Sequence, residues 1–376
     1  MRRIALYFEI TRKDLINPLK AVVSTIESKQ TLPILANVLV EVENDTLRLT
    51  GTDAEVEINC TVLLEASIGS DNDGAITVPA RKFFDIVRAL PEAMIQFNQE
   101  DENRVVIKSG KSRFTLSCLP AGDYPSSPEI NSTLSFNLSH RALKDLLAQT
   151  QYAMATNDVR YYLNGVCFDF LEDKLVAVAT DGHRLALATE AFDLAGKETM
   201  QVIVPRKAII ELSRMLENSD DPLEISMDEN HIKIILSDRL TLLSKLIDGS
   251  FPDYWGVLPM HPNKIVTAQT DEFKQALNRT SILSNEKFKG IRFALAINNL
   301  VITSRNPEQE EAEENLLVEY DGEEMEIGFN VTYLLDALSV ITTKEVTLHF
   351  TDANSSLLIT PKDLDDVKMV IMPMRL

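Results

Sequence analysis

Apolar and polar positions along the chain fall into a pattern that comes round again. In Ile76-Thr77-Val78-Pro79-Ala80-Arg81-Lys82-Phe83-Phe84-Asp85-Ile86-Val87-Arg88-Ala89-Leu90, an extended apolar segment runs into a proline and then an apolar stripe at 83, 86, 87 and 90. That spacing predicts a helix opened by proline, where the missing N–H has no intrahelical partner to lose. The pattern returns as Val202-Ile203-Val204-Pro205-Arg206-Lys207-Ala208-Ile209-Ile210-Glu211-Leu212-Ser213-Arg214-Met215-Leu216, 126 positions on. A fainter third copy is Ile327-Gly328-Phe329-Asn330-Val331-Thr332-Tyr333-Leu334-Leu335-Asp336-Ala337-Leu338, whose Asp336 lies 125 positions after Glu211.

Other landmarks keep the period. Phe8-Glu9-Ile10 with Leu15 and Leu19 matches Phe136-Asn137-Leu138 with Leu143 and Leu147 at offset 128, and Phe273 with Leu277 follows at 130. Thr52-Asp53 matches Thr180-Asp181, with Asn306 in third place. Leu116-Ser117 matches Leu243-Ser244, and Pro125 matches Pro252, both at 127. Agreement among independent landmarks is the signature of internal repetition. It divides the 376 residues into 1–128, 129–253 and 254–376. Each third reads as two strand–helix–strands units, with helices over 12–25, 80–90, 140–151, 206–216, 271–281 and 331–341. The strands alternate, as in Leu47-Arg48-Leu49-Thr50, or run apolar, as in Lys174-Leu175-Val176-Ala177-Val178. The fold class is α+β, with helices covering one side of antiparallel sheets.

Composition narrows what such a repeat protein does. Apolar residues make up 45%, enough for packed cores. No uncharged apolar run approaches the ~20 residues of a membrane span. The opening Met1-Arg2-Arg3-Ile4-Ala5-Leu6-Tyr7-Phe8-Glu9 starts like a secretion signal, but its apolar stretch ends after five residues. Cys60, Cys118 and Cys167 lie far apart, which gives neither a disulfide framework nor a zinc site and fits a reducing cytoplasm. The net charge is −20, which argues against nucleic acid coating the whole surface but leaves room for a local basic face.

Bases recur at helix starts: Arg81, Lys82 and Arg88 return as Arg206, Lys207 and Arg214. Arg12, Lys13, Lys20, Arg141 and Lys144 add to them. Each helix alone reads as an ordinary solvated face. Together they sketch a cationic face that reads phosphate rather than base, since no base-reading motif accompanies them. Ten acids and no base fill 308–326. Leu316-Leu317-Val318 places part of that block on a strand, and a strip so negative calls for a basic partner such as Lys108, Lys111 and Arg113. An intrachain and an intermolecular contact both answer that call.

Gly110-Lys111-Ser112 resembles the end of a phosphate loop, but Val105 stands where the loop needs glycine and the context is a hairpin. Thr180-Asp181-Gly182-His183-Arg184 reads as a tight turn. Catalysis by Asp181 and His183 is the rival reading, but no nucleophile motif accompanies them. Histidines 140, 183, 231, 261 and 349 show no metal spacing. Tyr161-Tyr162 reads as an extended pair with one ring facing out beside Arg160, an aromatic platform for bases or a half-buried strand start. The tail Val370-Ile371-Met372-Pro373-Met374-Arg375-Leu376 is apolar to its end. It reads as an edge strand, or as the border of an adaptable Met-rich groove.

These residues together resemble the bacterial DNA polymerase III β subunit family, the sliding clamps, over the whole chain. The resemblance rests on Thr31-Leu32-Pro33-Ile34-Leu35, Gly51-Thr52-Asp53, Val78-Pro79-Ala80-Arg81-Lys82-Phe83-Phe84, Asp158-Val159-Arg160-Tyr161-Tyr162-Leu163-Asn164-Gly165, Ala179-Thr180-Asp181-Gly182-His183-Arg184-Leu185 and Ile203-Val204-Pro205-Arg206-Lys207. It continues in Leu283-Ser284-Asn285-Glu286-Lys287-Phe288, Asn306-Pro307-Glu308-Gln309-Glu310-Glu311-Ala312-Glu313-Glu314 and Met372-Pro373-Met374-Arg375-Leu376. It implies three clamp domains per chain and a head-to-tail homodimeric ring, helices lining the inside and sheets outside. It implies a non-catalytic processivity factor that slides on double-stranded DNA without sequence preference and needs no cofactor or metal. Its expected partners are a clamp loader, the replicative polymerase and other replication and repair proteins carrying clamp-binding peptides, in the cytoplasm.

Residue by residue, the resemblance implies DNA contacts at Lys29, Arg81, Asn157, Tyr161 and Tyr162, with Lys207 beside them. It implies a peptide groove at Leu163, Thr180, Gly182, His183, Arg184, Leu185, Pro252, Val257, Asn330, Tyr333, Ser356, Val370, Met372, Pro373, Met374 and Arg375. Trp255-Gly256 stands beside that groove where the family often carries bases. It implies a subunit interface of Leu116 against Ile282 and Leu283, with Glu310, Glu311, Glu313 and Glu314 facing Lys82, Lys111 and Arg113.

Overall fold

Each helix starts directly at the end of a strand, and in three of them the last strand residue caps it with its side chain. α1 (Arg12–Ser24) opens behind Thr11, whose hydroxyl accepts the Asp14 N–H, and α6 (Val331–Ser339) behind Asn330, whose side chain accepts the Thr332 N–H. α2 (Ala80–Ala89) and α4 (Arg206–Met215) follow Pro79 and Pro205 instead. α3 (His140–Thr150) has the Ser139 hydroxyl on the Ala142 N–H, and α5 (Thr270–Ser281) completes the set. Such caps satisfy N–H groups that the first turn leaves open. The sequence expectation for all six helices holds to within two residues. The computed structural model describes residues 6–27, 32–64, 73–125, 128, 130–193, 198–259 and 261–375.

The chain forms two compact units, Met1–Leu143 with Ile210–Leu246, and Lys144–Ile209 with Ile247–Leu376. The cut runs through the middle repeat, because backbone hydrogen bonds gather strands by sheet rather than by repeat. In the first unit, a four-stranded sheet runs Tyr7–Thr11, Met94–Asp101, Arg104–Ser109, Ser112–Ser117. A nine-stranded sheet in the same unit joins strand Leu240–Lys245 to strand Val56–Leu63, with Leu242 opposite Ile58. In the second unit, an eight-stranded sheet joins strand Arg184–Ala191 to strand Val367–Ile371, with Arg184 opposite Ile371. A second four-stranded sheet there runs Glu311–Leu317, Asn299–Arg305, Gly290–Ala296, Met325–Asn330. All named pairings are antiparallel.

The repeat is visible in register. Asn37 faces Pro79, Gly165 faces Pro205 and Gly290 faces Asn330. One landmark moves. Ile107 faces Phe114 and Ile234 faces Leu242, so Leu116 corresponds to Ser244 rather than to Leu243. The chemical likeness of two Leu-Ser pairs masked a one-residue shift, and such a shift exchanges the faces of a strand. The tail strand Val367–Ile371 is also not an edge. It has strands on both sides, because its apolar residues belong to the centre of the eight-stranded sheet.

Aromatic rings mark both cores: Phe8 stacks on Phe97 at 4.7 Å, and Phe273, Phe293 and Phe329 follow one another at 5.9 and 5.4 Å. Three fully buried threonines close the first helix of each repeat. Thr25, Thr150 and Thr280 donate their hydroxyls back to Val22 O, Leu146 O and Ala276 O. Nothing apolar announces them, so the periodicity passed them over. Beside the first, Gly51 lets strand Thr46–Thr52 approach α1 closely: a Cβ there would lie 2.2 Å from Val22 O. Gly51→Ala is expected to lower unfolding stability by roughly 1–3 kcal/mol in denaturant titration. Gly122→Ala, where a Cβ meets nothing within 4 Å, should leave it unchanged.

Candidate functional site

The turn Thr180-Asp181-Gly182-His183-Arg184 is fully wired to its own backbone. The Thr180 hydroxyl donates to Arg184 O at 2.6 Å and accepts the Gly182 N–H, while Asp181 Oδ1 accepts the N–H groups of His183 and Arg184. The first repeat builds the same network: Thr52 donates to Val56 O, and Asp53 Oδ1 accepts from Glu55 and Val56. Gly182 has φ +86, and Ala54 holds the same place at +77. Identical wiring in two repeats makes Asp181 a turn former, which removes it from the catalytic rival reading.

Arg184 carries this turn into its surroundings. Its side chain is only 12% exposed. Nε donates to Asp181 Oδ2 at 3.1 Å, Nη1 to Asp336 Oδ2 at 2.5 Å and Nη2 to Tyr152 O at 2.8 Å. The guanidinium lies 4.6 Å from the Tyr333 ring centre, and the His183 ring stacks on that same tyrosine. Buried charge is tolerated here because every edge of the fork has an acceptor.

Next to the turn lies an apolar cavity of about 180 Å³. Leu163, Thr180, Gly182, Arg184, Leu185, Pro252, Val257, Val370 and Met372 line it, nine of the residues expected from the sequence. His183, Asn330, Tyr333, Pro373 and Met374 are outside its wall and form an adjoining shelf. Met372 N donates to His183 O, Met374 N donates to Gly328 O, and Asn330 caps α6. Ser356 is half-buried just before strand Leu357–Pro361, and Arg375 is exposed. Four lining residues were missed: Arg160, Phe251, Tyr254 and Tyr162, the last expected to face DNA. Phe251-Pro252 repeats Tyr124-Pro125, which was the signal available for it. Tyr161 and Tyr162 sit in a 3-10 turn rather than an extended segment, since Leu163 and Asn164 donate N–H groups back to Arg160 and Tyr161. Tyr161 is still left exposed. Trp255 is exposed beside the cavity, with Lys174 Nζ 5.5 Å above its ring.

The corresponding surface in the first unit is polar. A cavity of about 510 Å³ there is lined by Thr50, Glu57 and Asn59, among others. Thr50 faces Asn59 and Thr52 faces Glu57, as Val178 faces Leu187 and Thr180 faces Leu185. Thr50 donates to Asn59, and Asn59 donates to the buried Glu57.

Of the expected DNA contacts, Lys29 lies outside the described residues. Arg81 and Asn157 are exposed, and Lys207 is half-buried. Several recurring bases serve packing instead. Arg12 donates to Val87 O and Arg88 O, Arg206 to Met154 O, and Arg141 to Asp220. Arg88 and Arg214 pair within their helices with Asp85 and Glu211. Of the expected interface, Lys82 and Lys111 are exposed and Arg113 pairs with Glu100. Glu314 receives two bonds from Arg279, at 2.6 and 2.8 Å, so its first partner is in its own chain. Leu116 is buried, Leu283 half-buried, and Ile282 76% exposed. Glu310 holds the Asn306 turn, and Glu311 and Glu313 point out from the edge strand.

All three cysteines are buried free thiols, and burial pushes Cys60 up to about 12 and Cys118 to about 11, away from nucleophilic duty. Hydrogen bonds from Arg160 hold the Asp158 carboxyl down at about 2. A depressed carboxyl stabilises the fold above its unfolded value of ~3.9, and that contribution fades as pH falls towards the folded value. An NMR titration of Asp158 should therefore show a midpoint near 2, and a higher one in Arg160→Ala, which removes the guanidinium but keeps the backbone N–H on the carboxylate.

Family models of the DNA polymerase III beta subunit match the chain in succession: N-terminal domain at 6–128, central domain at 137–253 and C-terminal domain at 256–375. The chain is 46% identical to the beta sliding clamp of Pseudomonas putida KT2440 over 371 residues, 99% of this chain and 100% of that one. It is 46% identical to the beta sliding clamp of Escherichia coli K12 over 369 residues, 98% of this chain and all of that one. Among solved structures it is similar to the sliding clamp of Pseudomonas aeruginosa bound to griselimycin, with TM-score 0.94, 46% identity and 99% and 100% of the two chains covered. Among the described residues no helix is long and apolar enough to cross a membrane.

Proposed function

The chain belongs to the bacterial DNA polymerase III beta subunit family, the sliding clamps, and on that footing we propose how its own residues close the ring, face DNA and hold partners. It has the three-domain clamp fold and acts as a processivity factor in DNA replication. The domains are 1–128, 129–253 and 254–376. The chain is a non-catalytic accessory subunit of the cytoplasm, opened by a loader whose ATP chemistry resides elsewhere.

One observation carries the ring closure. Among the described residues, each four-stranded sheet has at one of its edges a strand with an unpaired side, strand Ser112–Ser117 in one and strand Glu311–Leu317 in the other. The repeat counterparts of these edges pair with each other twice within the chain. Phe114 corresponds to Leu242, and Ala312, facing Ser304, corresponds to Ile58, facing Gly51. Leu242 faces Ile58. The third such seam joins two chains head to tail, with Phe114 opposite Ala312, Arg113 opposite Glu313 and Leu116 opposite Glu310. This register keeps the faces matched: Phe114 and Ala312 point to the helix side of their sheets, Arg113 and Glu313 away from it. Exposed ion pairs add ~0–1 kcal/mol each, so strand pairing and burial of Ile282 and Leu283 carry the closure. Two copies satisfy both edges, and a heterologous contact that closes makes a ring.

Duplex DNA passes through that ring against the helices, by Lys29, Arg81, Asn157, Tyr161 and Lys207, without sequence readout. Contacts this sparse allow sliding, and topology provides retention. The apolar cavity and its shelf take a short peptide from the polymerase and other partners, with apolar anchors in the cavity and the His183–Tyr333 side as rim. Griselimycin, with which a similar clamp was solved, is the small-molecule probe of that groove.

Two experiments test this reading. Arg113→Cys combined with Glu313→Cys should give covalently closed dimers under mild oxidation, and Arg113→Cys with Glu311→Cys far fewer. A preference for the shifted pair, or no crosslink, overturns the register. Loaded clamps should stay on circular DNA and run off linear DNA. Equal loss from both would sink retention by topology.

A further inference from the structure

Asp336 stands outside the cavity wall, yet the groove depends on what it holds. The second helix of each repeat carries an acid at its sixth position: Asp85, Glu211 and Asp336. In the first two repeats, an arginine three residues on takes that acid, Arg88 at 2.9 Å and Arg214 at 2.7 Å. In the third repeat that place is the exposed Ser339, whose hydroxyl turns back to Asp336 O. The carboxylate is thereby left for Arg184, which reaches it from the turn of the second repeat at 2.5 Å.

Resting on the groove reading above, we propose that Asp336 is a positioning residue for partner binding: it anchors the Arg184 guanidinium and so fixes the turn that forms one side of the groove. The chain of contacts is short. Arg184 lies over Tyr333, His183 stacks on that ring, and His183 O holds the Met372 N–H at 2.9 Å. The turn bearing Thr180 and Gly182 is thus tied to the tail bearing Met372, and both line the cavity. Losing the Asp336 anchor leaves the guanidinium on Asp181 and Tyr152 O alone, and the link between the two walls slackens. With serine rather than arginine at 339, the carboxylate is available as this anchor.

Restoring that arginine tests the idea without touching the groove. Ser339→Arg offers Asp336 the in-helix partner that the other repeats have, so griselimycin affinity should fall about 5- to 10-fold while the melting temperature holds. Ser339→Gln should bind as the native protein does. Asp336→Asn should lose about as much as Ser339→Arg, Asp336→Glu should restore most of it, and Ser339→Arg added to Asp336→Asn should cost nothing more. Native affinity in Ser339→Arg, or full additivity in the double variant, overturns the proposal. Met372→Asp separates the two levels. If it leaves griselimycin binding intact, the groove reading falls and this inference with it. If it abolishes binding while Ser339→Arg binds normally, only the positioning role falls.

Discussion

A strand edge exposes a row of unpaired N–H and C=O groups, and that constraint organises this molecule. Each repeat is two half-units, and each half-unit ends in a strand with one side open. Twice the chain resolves this internally, at Leu242 with Ile58 and at Arg184 with Ile371. Among the described residues, the strand at Ser112–Ser117 and the strand at Glu311–Leu317 keep an open side. The compact units cut across the middle repeat for the same reason, since its strands are divided between two sheets.

Charge follows this arrangement. The thirds carry 14 bases against 18 acids, 12 against 20 and 11 against 19, so the excess of acid is least in the first third. Much of the last third's acid sits on or beside one open edge. An acidic edge resists pairing with itself, as like charges directly opposite repel. In the proposed register it faces an edge bearing Lys111 and Arg113, which would make closure directional.

Helices were the most legible part of the fold, because a 3.6-residue stripe bounded by Thr11, Pro79, Pro205 or Asn330 marks both period and start. Register was less legible. The shift between Leu116 and Ser244 depends on which residues face each other across a hairpin, and similar letters one place apart hid it. The residues alone marked the turn and the tail as separate candidate surfaces, and the family resemblance joined them into one groove. Phe251 had a signal in the repeat of Tyr124-Pro125 as Phe251-Pro252, whereas Tyr254 reaches the groove from a connecting segment that no apolar stripe marks. Recurring arginines misled in part. Arg12 and Arg141 each donate to a carbonyl at the end of their repeat's second helix, and Arg81 and Arg206 to one just past the first, a demand that repeats as faithfully as any binding function. The expected subunit contacts of Glu314 likewise miss its first partner, Arg279, which sequence distance does not announce.

The contrast between the two internal seams has a consequence for traffic. Val178, Leu185 and Leu187 give the second seam an apolar floor, while Thr50, Glu57 and Asn59 give the first a wired polar one. An apolar anchor that settles on the second would have to break the Thr50–Asn59–Glu57 network to settle on the first. On the proposed groove reading, the two internal seams of a chain therefore offer one berth between them. The internal seams of two chains would then offer two such berths, so a third protein seeking one must wait for an occupant to leave. Occupancy around the ring becomes a matter of exchange rather than accumulation.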